Sequence, residues 1–184
     1  MVKYCIFGQN KRTMDFNEVL LKRESVRNYD PAKPVEIDTL KRILEAGRVA
    51  PSASNYQPWE FWLISSTEML EKVKPCYSRQ WITDAPHILV VTGDLDHAWE
   101  RSDGYNSLQT DLAISMHQMV LAATNEGVGS CWVTNFNPDI LRKALGLKDS
   151  VKVFGITPLG YPRENYTKRT AIMRKPLEDV AIYC

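Results

Sequence analysis

Ala50-Pro51-Ser52-Ala53-Ser54-Asn55-Tyr56-Gln57-Pro58-Trp59 lies between a helical pattern and a short aromatic strand. Two prolines impose an irregular backbone, small residues let a flat ligand approach closely, and Asn55 and Gln57 supply amide donors and acceptors. Taken alone, the stretch fits an ordinary turn ending on a buried Trp59 equally well. Upstream, Glu36 to Val49 has Ile37, Leu40 and Leu44 at helical spacing, with Ile43 and Gly47 beside them. Downstream, Glu60 to Ser65 is too short and too aromatic for a helix and reads as a strand; Thr67 to Lys74 then restarts a helix.

Further out, His87 to Thr92 is a continuous apolar run of buried-strand length. Ser107 to Glu126 is helical, with Leu108, Leu112, Met116, Met119, Val120 and Ala123 on one stripe that Ile114 and Leu121 broaden. That arc is too wide for an ordinary surface helix. Ser130 to Asn135 and Val151 to Leu159 read as further strands, and Asn137-Pro138 as the cap and first residue of a helix reaching Leu145. Asp15 can cap an opening helix with apolar positions Phe16, Val19 and Leu20. The pattern is α+β or α/β with about four strands. Residues 1–13 differ in character from the rest of the chain and read as an extension to a single domain spanning 14–184.

The 184 residues are 44% hydrophobic and carry a formal net charge of +1. For this mass a compact fold exposes roughly 9,000 Å². The charge balance argues against nucleic-acid binding through bulk electrostatics. No apolar stretch reaches the length of a membrane span and no secretory pattern opens the chain, so the expectation is a cytoplasmic protein. Cys5, Cys76, Cys131 and Cys184 lack paired spacing, which argues for reduced thiols over zinc or a disulfide framework. Trp132 stands where a dinucleotide fingerprint needs its third glycine, and neither a Walker lysine nor a G-x-S-x-G elbow is present. Asp94, Asp96 and His97 read more readily as a solvated loop than as a metal site.

A second stretch carries chemistry: Arg23-Glu24-Ser25-Val26-Arg27. In extended chain, Arg23, Ser25 and Arg27 alternate onto one side and offer two guanidiniums and a hydroxyl to a phosphate. Without other support, two arginines so close are usually a solvated face. Together with the complete A-P-S-x-x-N-x-Q-P-W segment, however, the pair closely resembles the signature of the nitroreductase superfamily of FMN-dependent oxidoreductases. Gly127-Val128-Gly129-Ser130-Cys131-Trp132 is similar to that family's G-x-G-x-C-W segment, and Leu159-Gly160-Tyr161-Pro162 to its closing L-G-Y-P. Four motifs occur in family order.

The resemblance implies an α+β fold, a nitroreductase-like sandwich whose mixed, mainly antiparallel sheet is flanked by helices, built as a homodimer with FMN between subunits. It implies that Arg23, Ser25 and Arg27 hold the phosphate, ribityl chain or pyrimidine edge, and that Pro51, Ser52 and Ala53 line the flavin ring. Asn55 and Gln57 would meet its polar edge, Thr134 and Asn135 approach it through backbone, and Arg174 reach the phosphate. NADH or NADPH would donate electrons to a small-molecule acceptor such as a nitroaromatic or a quinone, by a ping-pong mechanism with no metal and no catalytic side chain. Glu24 departs from a position often basic in the family and is expected to face solvent. Ile172 stands where some members carry a second basic residue, and Lys168 and Arg169 read as surface charges. Specialised chemistry in the same superfamily, reductive dehalogenation or flavin fragmentation, and a non-catalytic flavin-binding module are the alternatives. Cys76–Pro86 and Asp94–Tyr105, with Tyr77, Trp81, Trp99 and Tyr105, are candidate lids.

Overall fold

In the computed structural model, which describes residues 14–168 and 174–184, His87 to Asp94 forms a strand with its first seven residues buried. Alternation explains why: Leu89 and Val91 join one apolar cluster, Ile88 and Val90 another, so helices must cover both faces. The chain runs α1 (Phe16–Lys22), α2 (Ile37–Arg48), β1 (Trp59–Ile64), α3 (Thr67–Val73), β2 (His87–Asp94), α4 (Leu108–Asn125), β3 (Gly129–Ser130), α5 (Pro138–Leu145) and β4 (Val151–Gly160). Helices α2 and α4 supply Leu40, Ile43, Met116 and Met119 to one side of the sheet, while α3 and α5 supply Leu70, Val73 and Leu141 to the other. The extension read at residues 1–13 lies outside the described residues.

The sheet order is β1-β2-β4-β3, and all three pairings are antiparallel. The parallel component expected of a mixed sheet is therefore missing among the described residues. The expected strand Ser130 to Asn135 is also shorter than its pattern suggests. Gly129 and Ser130 pair with Gly160 and Leu159, and Val133 pairs with Ile156 in the same register. Between them that register sets Cys131 against Pro158, which has no N–H to donate, so the ladder breaks there.

All six stripe residues expected in α4 are buried. Asp111 and Ser115 are buried on the same helix, polar positions that apolar periodicity does not reveal. In α2 the inward face is Leu40, Ile43 and Gly47, while Ile37 is 57% exposed, so the buried stripe is rotated from the one expected. A side chain on Gly47 would meet Met119 at 2.7 Å, which is why the two helices can approach so closely. Helix α1 is capped as expected by Asp15, yet only Val19 is buried; Phe16 is 68% and Leu21 78% exposed. The accessible surface is 11,727 Å², above the compact value, and part of that excess lies in α1 and the apolar tail residues Leu177, Val180 and Ile182.

Buried His87 joins two segments: Val35 N–H donates to Nε2 at 3.1 Å, and Nδ1 lies 2.7 Å from Ser65 Oγ. Burial lowers its pKa from the ordinary value of 6.5. Protonating Nε2 would set an N–H against the N–H of Val35. The unfolded chain therefore binds this proton more readily, and His87's contribution is complete above about pH 6.5 and is lost as pH falls below it. Urea unfolding should show stability falling, by up to about 1.4 kcal/mol per pH unit from this group, as pH drops below about 6.5, a slope that His87→Gln should remove.

Candidate functional site

Helix α1 ends at Arg23, and the chain beyond it docks on the sheet edge: Val26 N–H donates to Ser130 O at 2.9 Å. Tyr29 is fully buried and donates through its hydroxyl to Val26 O at 2.8 Å and Pro158 O at 3.3 Å. Asp30 N–H donates to Tyr161 O at 2.9 Å. These bonds join the arginine stretch to the Gly-Ser-Cys-Trp and Leu-Gly-Tyr-Pro stretches. Gly160 is needed at that junction, because a Cβ there would lie 2.8 Å from Pro86 Cδ.

Glu24 and Val26 line one cavity with Gly129, Pro162 and Tyr166. Alternation then leaves Arg23, Ser25 and Arg27 on the opposite side, with Arg27 exposed and lying over the Trp81 ring at 6.0 Å. Glu24 does not face solvent as expected; it is half-buried and accepts a hydrogen bond from Tyr166 Oη at 2.9 Å. Turning toward that tyrosine takes its negative charge off the arginine side. Lys168 is likewise more than a surface charge, donating to Leu21 O at 2.9 Å near the C-terminus of α1.

The loop Pro51–Gln57 is organised differently. Ser54, Asn55 and Gln57 have φ of 49°, 59° and 50°, three non-glycine residues in the left-handed region within four positions. Such backbone persists only where surrounding bonds over-determine it. Gln57 N–H donates to Ser52 Oγ at 2.9 Å, Asn55 N–H to Ser52 O at 3.0 Å, and Ala53 N–H to Asp111 Oδ1 at 2.9 Å. Pro51, Asn55 and Gln57 remain exposed, and Ser52 and Ala53 are half-buried.

The two stretches do not meet within one chain. Ala53 is tied to the first turn of α4, whereas Val26 lies against Gly129 and Ser130, just beyond the other end of that helix. The stretch of α4 from Asp111 to Asn125 lies between them, roughly 21 Å of helix. Thr134 and Asn135 are exposed, and Thr134 lines a cavity of about 670 Å³ toward the N-terminal end of α4, with Tyr105, Lys152 and Phe154. Arg174 is exposed in the C-terminal segment; Arg169 and Ile172 lie outside the described residues. Of the candidate lids, Trp81 packs edge-on with Tyr77 beside Arg27, while Tyr105 borders the Thr134 cavity and lies under the Arg101 guanidinium at 4.9 Å.

Cys76 is no nucleophile, since burial pushes its thiol up to about 11. Asp94 accepts from Asp96 N–H and lies 2.9 Å from His97 Nδ1, so that triplet caps a turn. Among the described residues no group of three His, Cys, Asp or Glu side chains could hold a metal. No described helix is long and apolar enough to cross a membrane. The site therefore offers guanidiniums, hydroxyls, amides and strained backbone: the equipment of a ligand-binding scaffold.

An antiparallel α+β sandwich with an arginine-bearing edge and a strained Pro-Ser-x-x-Asn-x-Gln-Pro loop defines the class. The chain belongs to the Nitroreductase family, whose sequence model matches residues 20–80 and 68–161. It is 31% identical over 158 residues to a putative NADH dehydrogenase/NAD(P)H nitroreductase of Methanothermobacter thermautotrophicus, covering 83% of this chain and 80% of that one. Among solved structures it is similar to a nitroreductase family protein from Clostridium difficile, with 35% identity, a TM-score of 0.84, and 92% and 98% of the two chains covered. It also resembles a nitroreductase with bound FMN from Bacteroides fragilis, with 26% identity, a TM-score of 0.72, and 93% and 100% covered.

Proposed function

We propose that this chain is an FMN-dependent oxidoreductase that takes electrons from NADH or NADPH and reduces small aromatic acceptors such as nitroaromatics or quinones, working in the cytoplasm as a homodimer. The observation that carries this reading is the separation of the arginine stretch from the Pro51–Gln57 loop along α4. One copy has half a flavin site at each end, and a two-fold partner brings complementary halves together. Bound FMN would supply hydride acceptance and onward electron transfer, so no protein nucleophile is required.

The donor set fits that cofactor. Arg23, Ser25 and Arg27 would hold the phosphate and its neighbouring polar groups through charge-assisted bonds, with Glu24 turned away. Pro51 to Ala53 of the partner would line the flat ring, and Asn55 and Gln57 would meet its polar edge. Thr134 and Asn135 would approach the ring through backbone, and the Thr134 cavity would admit the acceptor.

The purified protein should be yellow and should release FMN, not FAD, on denaturation, as judged by chromatography of the flavin. With one flavin site and no second nucleotide fold, the nicotinamide and the acceptor must visit in turn. Double-reciprocal plots across acceptor concentrations should be parallel. A colourless protein that FMN cannot reconstitute would defeat the proposal, and intersecting lines would defeat its single-site kinetics.

A further inference from the structure

Asp111 is 2% exposed, and among the described residues no cation pairs with it. Its Oδ1 accepts from Ala53 N–H at 2.9 Å and its Oδ2 from Ser107 Oγ at 2.8 Å. A carboxylate buried on an apolar helix face is costly unless its hydrogen bonds return the loss. Both bonds are made, and one of them leaves the helix for the strained loop.

The hydrogen bonds of residues 52–57 are otherwise internal. Asn55 N–H returns to Ser52 O, Tyr56 N–H to Ala53 O, Gln57 N–H to Ser52 Oγ, and Gln57 Nε2 to Asn55 O. Ala53 N–H to Asp111 is the one hydrogen bond, among the described residues, that joins this segment to another element. Three of the next four residues, Ser54, Asn55 and Gln57, are left-handed and none is glycine. The segment fixes its own shape, and Asp111 fixes where that shape sits. Releasing the bond leaves the internal bonds alone to hold the left-handed turns, since no other hydrogen bond among the described residues ties them to the helix.

We propose that Asp111 is the positioning residue that holds Pro51–Gln57 against α4 in the form that meets the flavin, acting through acceptance at Oδ1 and not through its charge. The proposal rests on the reading of this loop as part of the FMN site. Asparagine keeps an oxygen for Ala53 N–H and can donate to Ser107 Oγ, whereas alanine keeps neither bond.

The test uses flavin-free Asp111→Ala and Asp111→Asn proteins, with amide hydrogen exchange of Ala53 to Gln57 and FMN titration on each. Asp111→Ala should lose loop protection at least tenfold and weaken FMN binding at least tenfold. Asp111→Asn should stay within about threefold of wild type on both, as expected for an exchange of equivalent hydrogen bonds. Exchange is read without flavin, so it judges the anchor even if the cofactor assignment fails. Wild-type protection in folded Asp111→Ala would overturn the proposal. A released loop with unchanged FMN affinity would overturn its link to the flavin while leaving the arginine assignment standing. Should Asp111→Ala not fold, Asp111→Asn decides alone: loss of loop protection in it contradicts acceptance at Oδ1.

Discussion

In sedimentation velocity at low micromolar concentration the wild-type protein should run as a flavin-loaded homodimer, and Ile114→Asp as a folded monomer without flavin. Ile114 is 36% exposed and lies with Thr110, His117 and Leu121 on the face of α4 that the core does not use. A charge there meets water in the monomer but would be desolvated against an apolar partner surface, at a cost of several kcal/mol. The stripe residues answer differently. Met116 and Met119 are 0% and 1% exposed inside the chain's own core, so Met116→Asp should abolish folding, because burying an unpaired carboxylate consumes much of a stability of about 5–15 kcal/mol. Circular dichroism separates the two outcomes. A flavin-loaded Ile114→Asp monomer would show that one copy suffices.

Arg27→Ala should weaken FMN binding by about 1.5–3 kcal/mol, a loss of roughly 10- to 150-fold, if its guanidinium makes a charge-assisted bond to the phosphate. Arg27 is exposed and lies over Trp81, so its removal costs the fold little, and the loss should appear in flavin titration without a matching fall in urea midpoint. Lys41 on α2, an exposed cation paired at 3.2 Å with Asp38, is the control. Lys41→Ala should change FMN affinity by less than about 0.5 kcal/mol. Equal losses in the two variants would mean that general surface charge, and not the Arg23–Arg27 edge, attracts the cofactor.

Much of this architecture is legible in the residues because each element is fixed by local rules. Asp15 and Asn137 cap the helices they precede, and the six α4 stripe residues are buried as their spacing requires. Strand Ser130–Asn135 is cut short by a proline on the neighbouring strand, which no pattern within those six residues can report. The α2 stripe is rotated because Gly47, not Ile37, is where Met119 needs room. Among site residues, the alternation of Arg23, Ser25 and Arg27 was readable, while the partnering of Glu24 with Tyr166 joins positions far apart in sequence. Asp111 offered one faint signal, a lone carboxylate inside an apolar arc. That the arginine stretch and the Pro51–Gln57 loop lie toward opposite ends of one helix is a consequence of tertiary packing alone.

Subunit complementation tests most directly whether the flavin site is shared between copies. Arg27→Ala disables the arginine edge; Asn55→Val disables the loop, since a β-branched residue resists the φ of 59° at that position. Each variant homodimer has two damaged sites. If the halves come from different chains, a mixed dimer has one doubly damaged site and one intact site. Unfolding and refolding the two variants together at equal amounts should then restore high-affinity FMN binding to about one quarter of all sites, given random two-fold pairing. Recovery no greater than the average of the two separate variants would place both halves within a single chain and contradict the shared site.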